Sequence, residues 1–242
     1  MMSSSSNAVL ITGGARRVGR AIALAFAARG YDVALHFRRS AEEAEITRQE
    51  ILSIGVACEC FAADLQDSGA RQAMLQRVFD TFPHCRVLVN NASIFERARF
   101  METDEVLFDR QMDINFRVPF FLTQEFIKHC PEARVINMLD TNITATQTSH
   151  FSYLLAKKAL AEFTRMAARE LAPKARIHGV CPGLVIPAEG EEDESYTEKY
   201  IAQSPLQSIS PPEDVAEAVC WLAEAESVTG QLLFLDGGKH LL

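Results

Sequence analysis

Short apolar, β-branched runs alternate with helix-periodic segments along the whole chain, and this alternation constrains the fold more than any other feature. Val9-Leu10-Ile11, Val33 to Phe37, Cys58 to Ala62, Val87-Leu88-Val89, Arg134 to Asn137, Ile177 to Val180 and Leu232-Leu233-Phe234 read as strands. Between them, helical spacing runs over Val18 to Ala28, Ala41 to Leu52, Ser68 to Phe82, Asn115 to His129, about Ser152 to Leu171, and Pro212 to Ala223. Parallel strands need such crossovers, whereas hairpins do not. The pattern therefore predicts a doubly wound α/β fold, a seven-stranded parallel sheet with helices on both faces. The 242 residues suffice for one substantial core, and no repeat, linker or composition shift marks a second domain. One domain over residues 8–242 is expected, preceded by a frayed polar tail over 1–7 that lacks the basic and apolar regions of a signal peptide.

Composition narrows the function classes. A net charge of −8 argues against a nucleic-acid partner, and no apolar run approaches the ~20 residues of a membrane span. The six cysteines are scattered without zinc-site spacing, which predicts reduced thiols in a cytoplasmic protein and no metal. The least regular stretch, residues 183–211, holds Pro187, Pro205, Pro211 and the acids Glu189, Glu191, Glu192, Asp193 and Glu194. A long insertion after a late strand is a candidate lid over the ligand crevice, while the acidic run itself reads as solvated.

Thr12-Gly13 to Gly19 ends the first strand and opens the first helix. Glycines there let the backbone turn tightly and approach a pyrophosphate, which a helix N-terminus stabilises, so a Rossmann-type dinucleotide site is expected. Arg17 fills the position where the usual fingerprint has a small residue. Arg38-Arg39-Ser40 closes the second strand, where an acid would grip the free ribose of NAD; two arginines favour a 2′-phosphate and hence NADPH. Asp64, after the third strand, is placed to hold the adenine amine.

Tyr153 and Lys157 stand four apart, on one face of a helix. A phenol with pKa ~10 is a poor acid or base at neutrality, and a neighbouring ammonium favours its ionised form. The pair is thus a tunable proton donor or acceptor.

With these residues assembled, the chain resembles the short-chain dehydrogenase/reductase superfamily from Thr12 to Leu235-Asp236-Gly237-Gly238. The pattern maps onto Thr12-Gly13 to Gly19, Asn90-Asn91-Ala92, Asn115, Tyr153-x-x-x-Lys157 and Pro182-Gly183. Two departures point further: Asp140 stands 13 residues before Tyr153, where the superfamily carries a serine, and Arg17 replaces the small residue of the turn. Both resemble the pteridine reductases, including dihydromonapterin reductases, as do His36 to Ser40 and Asn91-Ala92-Ser93-x-Phe95. Val185 departs from that pattern, standing where a pteridine reductase can carry Ser.

The resemblance implies NADPH contacts at Gly13, Arg17, Val18, Gly19, Phe37, Arg38, Arg39, Ser40, Asp64, Leu65, Asn91, Ala92, Ser93, Tyr153, Lys157, Pro182, Gly183 and Val185. It implies a pterin or folate-like substrate against Arg17, Ser93, Phe95, Asp140, Tyr153 and Leu184, with the Phe95 ring as stacking face. It also implies that Tyr153 and Asp140 supply the proton, that Lys157 lowers the Tyr153 pKa and binds the nicotinamide ribose, and that Asn115 holds a water leading from Lys157. A homotetramer built on the Asn115 and Ser152 helices is implied likewise. The alternatives are a general NADPH-dependent carbonyl reductase acting on ketones or acyl thioesters and a dinucleotide-sensing regulator without turnover; intact Tyr153, Lys157 and Asn115 weigh against the latter.

Overall fold

The computed structural model describes residues 7–185 and 194–242. Seven strands, β1 (Ala8–Ile11), β2 (Asp32–Phe37), β3 (Cys58–Ala62), β4 (Cys85–Asn90), β5 (Arg134–Met138), β6 (Arg176–Pro182) and β7 (Leu232–Leu235), form one sheet in the order 3-2-1-4-5-6-7. Every pairing is parallel. The helices are α1 (Arg17–Ala28), α2 (Ala41–Ile54), α3 (Ser68–Thr81), α4 (Glu105–Met112), α5 (Val118–His129), α6 (Phe151–Leu171), α7 (Glu194–Gln203) and α8 (Pro212–Glu224).

The unbroken apolar runs follow from burial on both faces of the sheet. Along β1, Val9 and Ile11 point into a layer with Ile22 and Phe26 of α1 and Val219 and Leu222 of α8. Ala8 and Leu10 point the other way, among Met74 and Val78 of α3 and Leu122 and Phe126 of α5. Chain order reverses at β1, which lies between β2 and β4. A sheet of this kind opens its ligand crevice beyond the carboxyl ends of the strands flanking such a switch point.

Two helices depart from the sequence-based expectation. α4 runs straight into a π-helical turn, Asp113–Arg117, that turns Asn115 fully inward ahead of α5. α7 occupies part of the stretch expected to be irregular; its buried Tyr200 anchors it. The 1–6 part of the expected tail and residues 186–193, with Pro187 and the acids at 189 to 193, lie outside the described residues. All six thiols are free.

Two histidines tie stability to pH. His178 is fully buried in β6, and His36 is 3% exposed in β2. Burial, reinforced at His178 by Arg176 and Arg134, lowers each to about 4. The unfolded chain takes up protons that these rings refuse, so their contribution is complete above the ordinary His pKa and is lost as pH falls through 4. Stability should drop on the order of 2–3 kcal/mol per histidine across that window. Urea midpoints at pH 7 and 4.5 check this: His178→Leu should flatten the dependence, and an unchanged slope would clear His178.

Candidate active site

The dinucleotide end is built around a turn that only small residues permit. Gly13 lies at φ +62°, and a Cβ there would meet the Cα of Ala92 at 3.1 Å. A Cβ at Gly19 would collide with the Gly13 carbonyl and approach the Asn91 amide to 2.7 Å. Thr12 and Asn91 lace the turn to the end of β4. The Thr12 hydroxyl donates to the Val89 carbonyl at 3.2 Å and accepts from the backbone N–H groups of Asn91 and Ala92, both at 2.9 Å. Asn91 Nδ2 donates to the carbonyls of Thr12 (2.9 Å) and Gly13 (3.0 Å).

His36 contributes a support that sequence reasoning gave no role. Kept neutral by burial, its Nδ1 accepts from the Gly13 N–H at 3.2 Å and its Nε2 donates to the Ala63 carbonyl at 3.1 Å. That pairing fixes the tautomer and bridges the glycine turn to the end of β3. A polar residue inside the otherwise apolar β2 was the available signal. Arg16, at the N-cap of α1, makes no side-chain cap bond, and Arg17 follows at φ +54°. Backbone N–H groups at this helix start suit a phosphate.

Just past the end of β2, Arg39 is exposed and Ser40 half-buried. Arg38 is paired instead with Asp64, at 2.7 Å, so the residue expected on a phosphate and the one expected on adenine hold each other. Leu65 has its side chain in the core, 4% exposed, and its carbonyl accepts from Arg71 at 3.0 Å. Val18, Phe37 and Val185 lie half-buried against the core, as does Ala92 on the other face. Pro182 closes β6, the Gly183 N–H donates to the Leu235 carbonyl at 2.8 Å, and the Leu184 carbonyl accepts from Ser210 at 2.9 Å.

The reacting groups gather at the end of β5. Tyr153 on α6 is 6% exposed and donates its O–H to Asp140 Oδ2 at 3.0 Å. Asp140 Oδ1 accepts from the backbone N–H of Asn142 at 2.7 Å and its amide at 2.9 Å, which fixes the carboxylate plane. Burial, then the charge and hydrogen bond of Asp140, raise the Tyr153 pKa well above that of a free phenol. The net shift is therefore upward, against the net lowering expected from Lys157. Lys157 Nζ donates to the Met138 carbonyl at 2.8 Å and lies 5.7 Å from the Tyr153 ring centroid, over the ring. Burial lowers Lys157 to about 8, against the opposing pull of Asp140 and Cys181.

Asn115, wholly buried, accepts from the Ser93 hydroxyl at 2.6 Å and donates to the Ile94 carbonyl at 3.0 Å. It braces the Ser93 to Phe95 segment, a task beside the water-holding expected of it. Phe95 stands 47% exposed with its ring edge-on to Tyr153 at 4.8 Å. His150 stacks on it at 4.0 Å and 18°, covering one face that the stacking expectation had left open. Site residues from β1, β4, β5 and β6 thus share one edge of the sheet, with Tyr153 and Lys157 brought there by α6.

The Tyr153 phenol thus meets the Asp140 carboxylate at the same end of the sheet as the glycine turn. A family model described as enoyl-(acyl carrier protein) reductase matches residues 13–240. A 3-oxoacyl-[acyl-carrier-protein] reductase (FabG) of Staphylococcus aureus is 30% identical across 98% of this chain and 99% of its own. Among solved structures, FolM alternative dihydrofolate reductase 1 of Brucella suis, in complex with NADP, superposes with TM-score 0.92 at 34% identity, covering 98% of this chain and 96% of that one. A short-chain dehydrogenase/reductase of Serratia marcescens gives TM-score 0.91 at 28% identity over 97% and 98% of the two chains. The chain belongs to the short-chain dehydrogenase/reductase family and is an oxidoreductase of that family.

Proposed function

We propose that this protein is an NADPH-dependent pteridine reductase that converts a dihydropterin to the tetrahydropterin. The observation that carries this reading is the 3.0 Å bond from the Tyr153 hydroxyl to Asp140. A ketone needs a neutral hydroxyl on its oxygen, whereas reduction of a ring C=N needs a proton at nitrogen and acceptors for the ring's N–H groups. A carboxyl beside a protonated phenol meets the second demand. The likeness to the Brucella suis protein, named an alternative dihydrofolate reductase, supports it.

Gly13, Gly19 and the start of α1 would hold the pyrophosphate of NADPH, Arg39 and Ser40 its 2′-phosphate, and Lys157 its nicotinamide ribose. NADPH, when bound, supplies the hydride. The chain's own residues orient the ring against Phe95, hold Ser93 and Phe95 through Asn115, and present the proton at the Tyr153 oxygen. Small-molecule substrate and a homotetramer through α5 and α6 belong to the same reading; exposed Leu155 and Met166 on α6 support the assembly.

The second reading is a 3-oxoacyl or ketone reductase, favoured by the Staphylococcus aureus relative. NADPH oxidation measured against dihydropterins, dihydrofolate, a 3-oxoacyl thioester and simple ketones separates the two. Turnover confined to carbonyl substrates would overturn the pterin assignment. Arg39→Asp should shift preference from NADPH toward NADH, because an acid repels the 2′-phosphate and binds a free ribose hydroxyl; equal wild-type efficiency with both cofactors would remove the phosphate clamp. Phe95→Ala should weaken dihydropterin binding by about 1–3 kcal/mol, as loss of one base–aromatic stack does, with NADPH affinity retained. Loss of NADPH binding alone would place Phe95 against the cofactor instead.

A further inference from the structure

Asp236 follows β7 and is 2% exposed, yet its carboxylate reaches across to the residue next to Asp140. Its Oδ2 accepts from the Thr141 hydroxyl and from the His240 N–H at 2.8 Å, and its Oδ1 accepts from the Gly238 N–H at 3.0 Å and His240 Nδ1 at 2.9 Å. His240 is itself stacked on Phe234 at 4.3 Å and 21°, so the closing turn of the chain is a fixed platform. Thr141 opens the 3₁₀ turn Thr141–Ile143, whose N-cap is Asp140. Lys158 closes the other side of that turn, donating to the carbonyls of Ile143 (2.8 Å) and Ala145 (2.7 Å). The turn is thus clamped at both ends, and between the clamps Asn142 sets the plane of the Asp140 carboxylate.

The geometry points to Asp236 as a positioning residue for catalysis: through Thr141 it holds the turn that aims Asp140 at the Tyr153 hydroxyl. The inference rests on reading Asp140 and Tyr153 as the proton-delivering pair. Asp236 touches neither the phenol nor the reacting atoms and acts through the backbone of residues 140 to 142. Although burial opposes its charge, the hydrogen bonds from Thr141, His240 and Gly238 outweigh burial and hold Asp236 below the usual carboxylate range. The acceptor therefore stays ionised through the neutral range, and the tie to Thr141 stays charge-assisted. A displacement of about 1 Å at a reacting group can cost on the order of 10²-fold in rate, so a bond beyond the site can govern turnover.

The test uses the whole protein with Thr141→Val, which keeps the shape and removes the hydroxyl, Thr141→Ser, which keeps the hydroxyl, and Asp236→Asn. Steady-state kcat and KM, NADPH affinity by fluorescence, and tyrosinate difference absorbance against pH are measured, with Tyr153→Phe marking the Tyr153 contribution. Asp140 and Lys157 are the charged groups facing that phenol. Thr141→Val and Asp236→Asn should lower kcat about 10- to 100-fold, leave KM and NADPH affinity near wild type, and let Tyr153 ionise at lower pH as the Asp140 charge turns away. Thr141→Ser should behave as wild type. If Asp236→Asn fails to fold, the Thr141 pair decides. An unmoved Tyr153 titration in Thr141→Val overturns the inference, and so does a moved titration with unchanged kcat. The titration needs no substrate, so loss of the pterin assignment in the substrate panel would leave this outcome separately readable.

Discussion

On the proposed reading, Asp140→Ser should lower dihydropterin reduction by roughly 10²–10⁴-fold, the loss typical of an acid–base partner, while reduction of a reactive diketone should persist or rise. The expectation follows from what each side chain can do beside Tyr153. Asp140 accepts the phenol's O–H in a 3.0 Å hydrogen bond and has its other oxygen committed to Asn142. A serine hydroxyl there restores the neutral donor that a ketone oxygen needs, but it cannot share a proton with a ring nitrogen. Asp140→Asn keeps the size and loses the same capacity, since an amide cannot pass a proton on, so it should harm pterin turnover as much. Removing the Asp140 charge should also bring the Tyr153 pKa down, because that charge and bond contribute, after burial, to its elevation. Steady-state kinetics of the three proteins on a dihydropterin and a diketone, with thermal melts as a folding check, give the answer. Wild-type pterin rates in both variants would make Asp140 a mere strand-end carboxylate and put the carbonyl-reductase reading first.

The fold was legible because the signal was local and repeated. The runs Val9-Leu10-Ile11 and Val87-Leu88-Val89 lie in central strands buried on both faces, so they are apolar without interruption, and each is followed by a turn that a parallel sheet requires. What escaped was α4 and α7, helices whose apolar anchors are few and whose position is set by tertiary contacts such as buried Tyr200. At the site, spacing alone places Tyr153 and Lys157 on one face of α6, and the strand end that carries Asp140 brings its carboxylate to the phenol. Spacing could not say where the Lys157 ammonium points, and its bond to the Met138 carbonyl changes its part in tuning Tyr153. Nor could it reveal ties over long separations: His36 under Gly13, or Asp236 on Thr141. These depend on which strand ends lie side by side, and the order of strands is not written in any one segment.

Tyr153→Phe and Lys157→Met should each cost roughly 10²–10⁴-fold in turnover, and their pH profiles should tell their roles apart. Burial and Asp140 keep the Tyr153 phenol protonated well past neutrality, so on the proposed reading it is available as a proton donor. Tyr153→Phe removes that proton and should leave dinucleotide affinity intact. Lys157 is different because burial lowers it to about 8, within the working range. As pH rises through that value the ammonium loses its charge but keeps N–H donors for the Met138 carbonyl, so the fold is undisturbed while the favourable field on a forming tyrosinate disappears. Turnover in the wild type should therefore fall on the alkaline side with an apparent pKa near 8. In Lys157→Met the residual rate should be low and flat across the same range, with weaker dinucleotide binding from loss of the ribose contact. If the alkaline fall persists unchanged in Lys157→Met, another group titrates there, and Lys157 serves only to brace the end of β5.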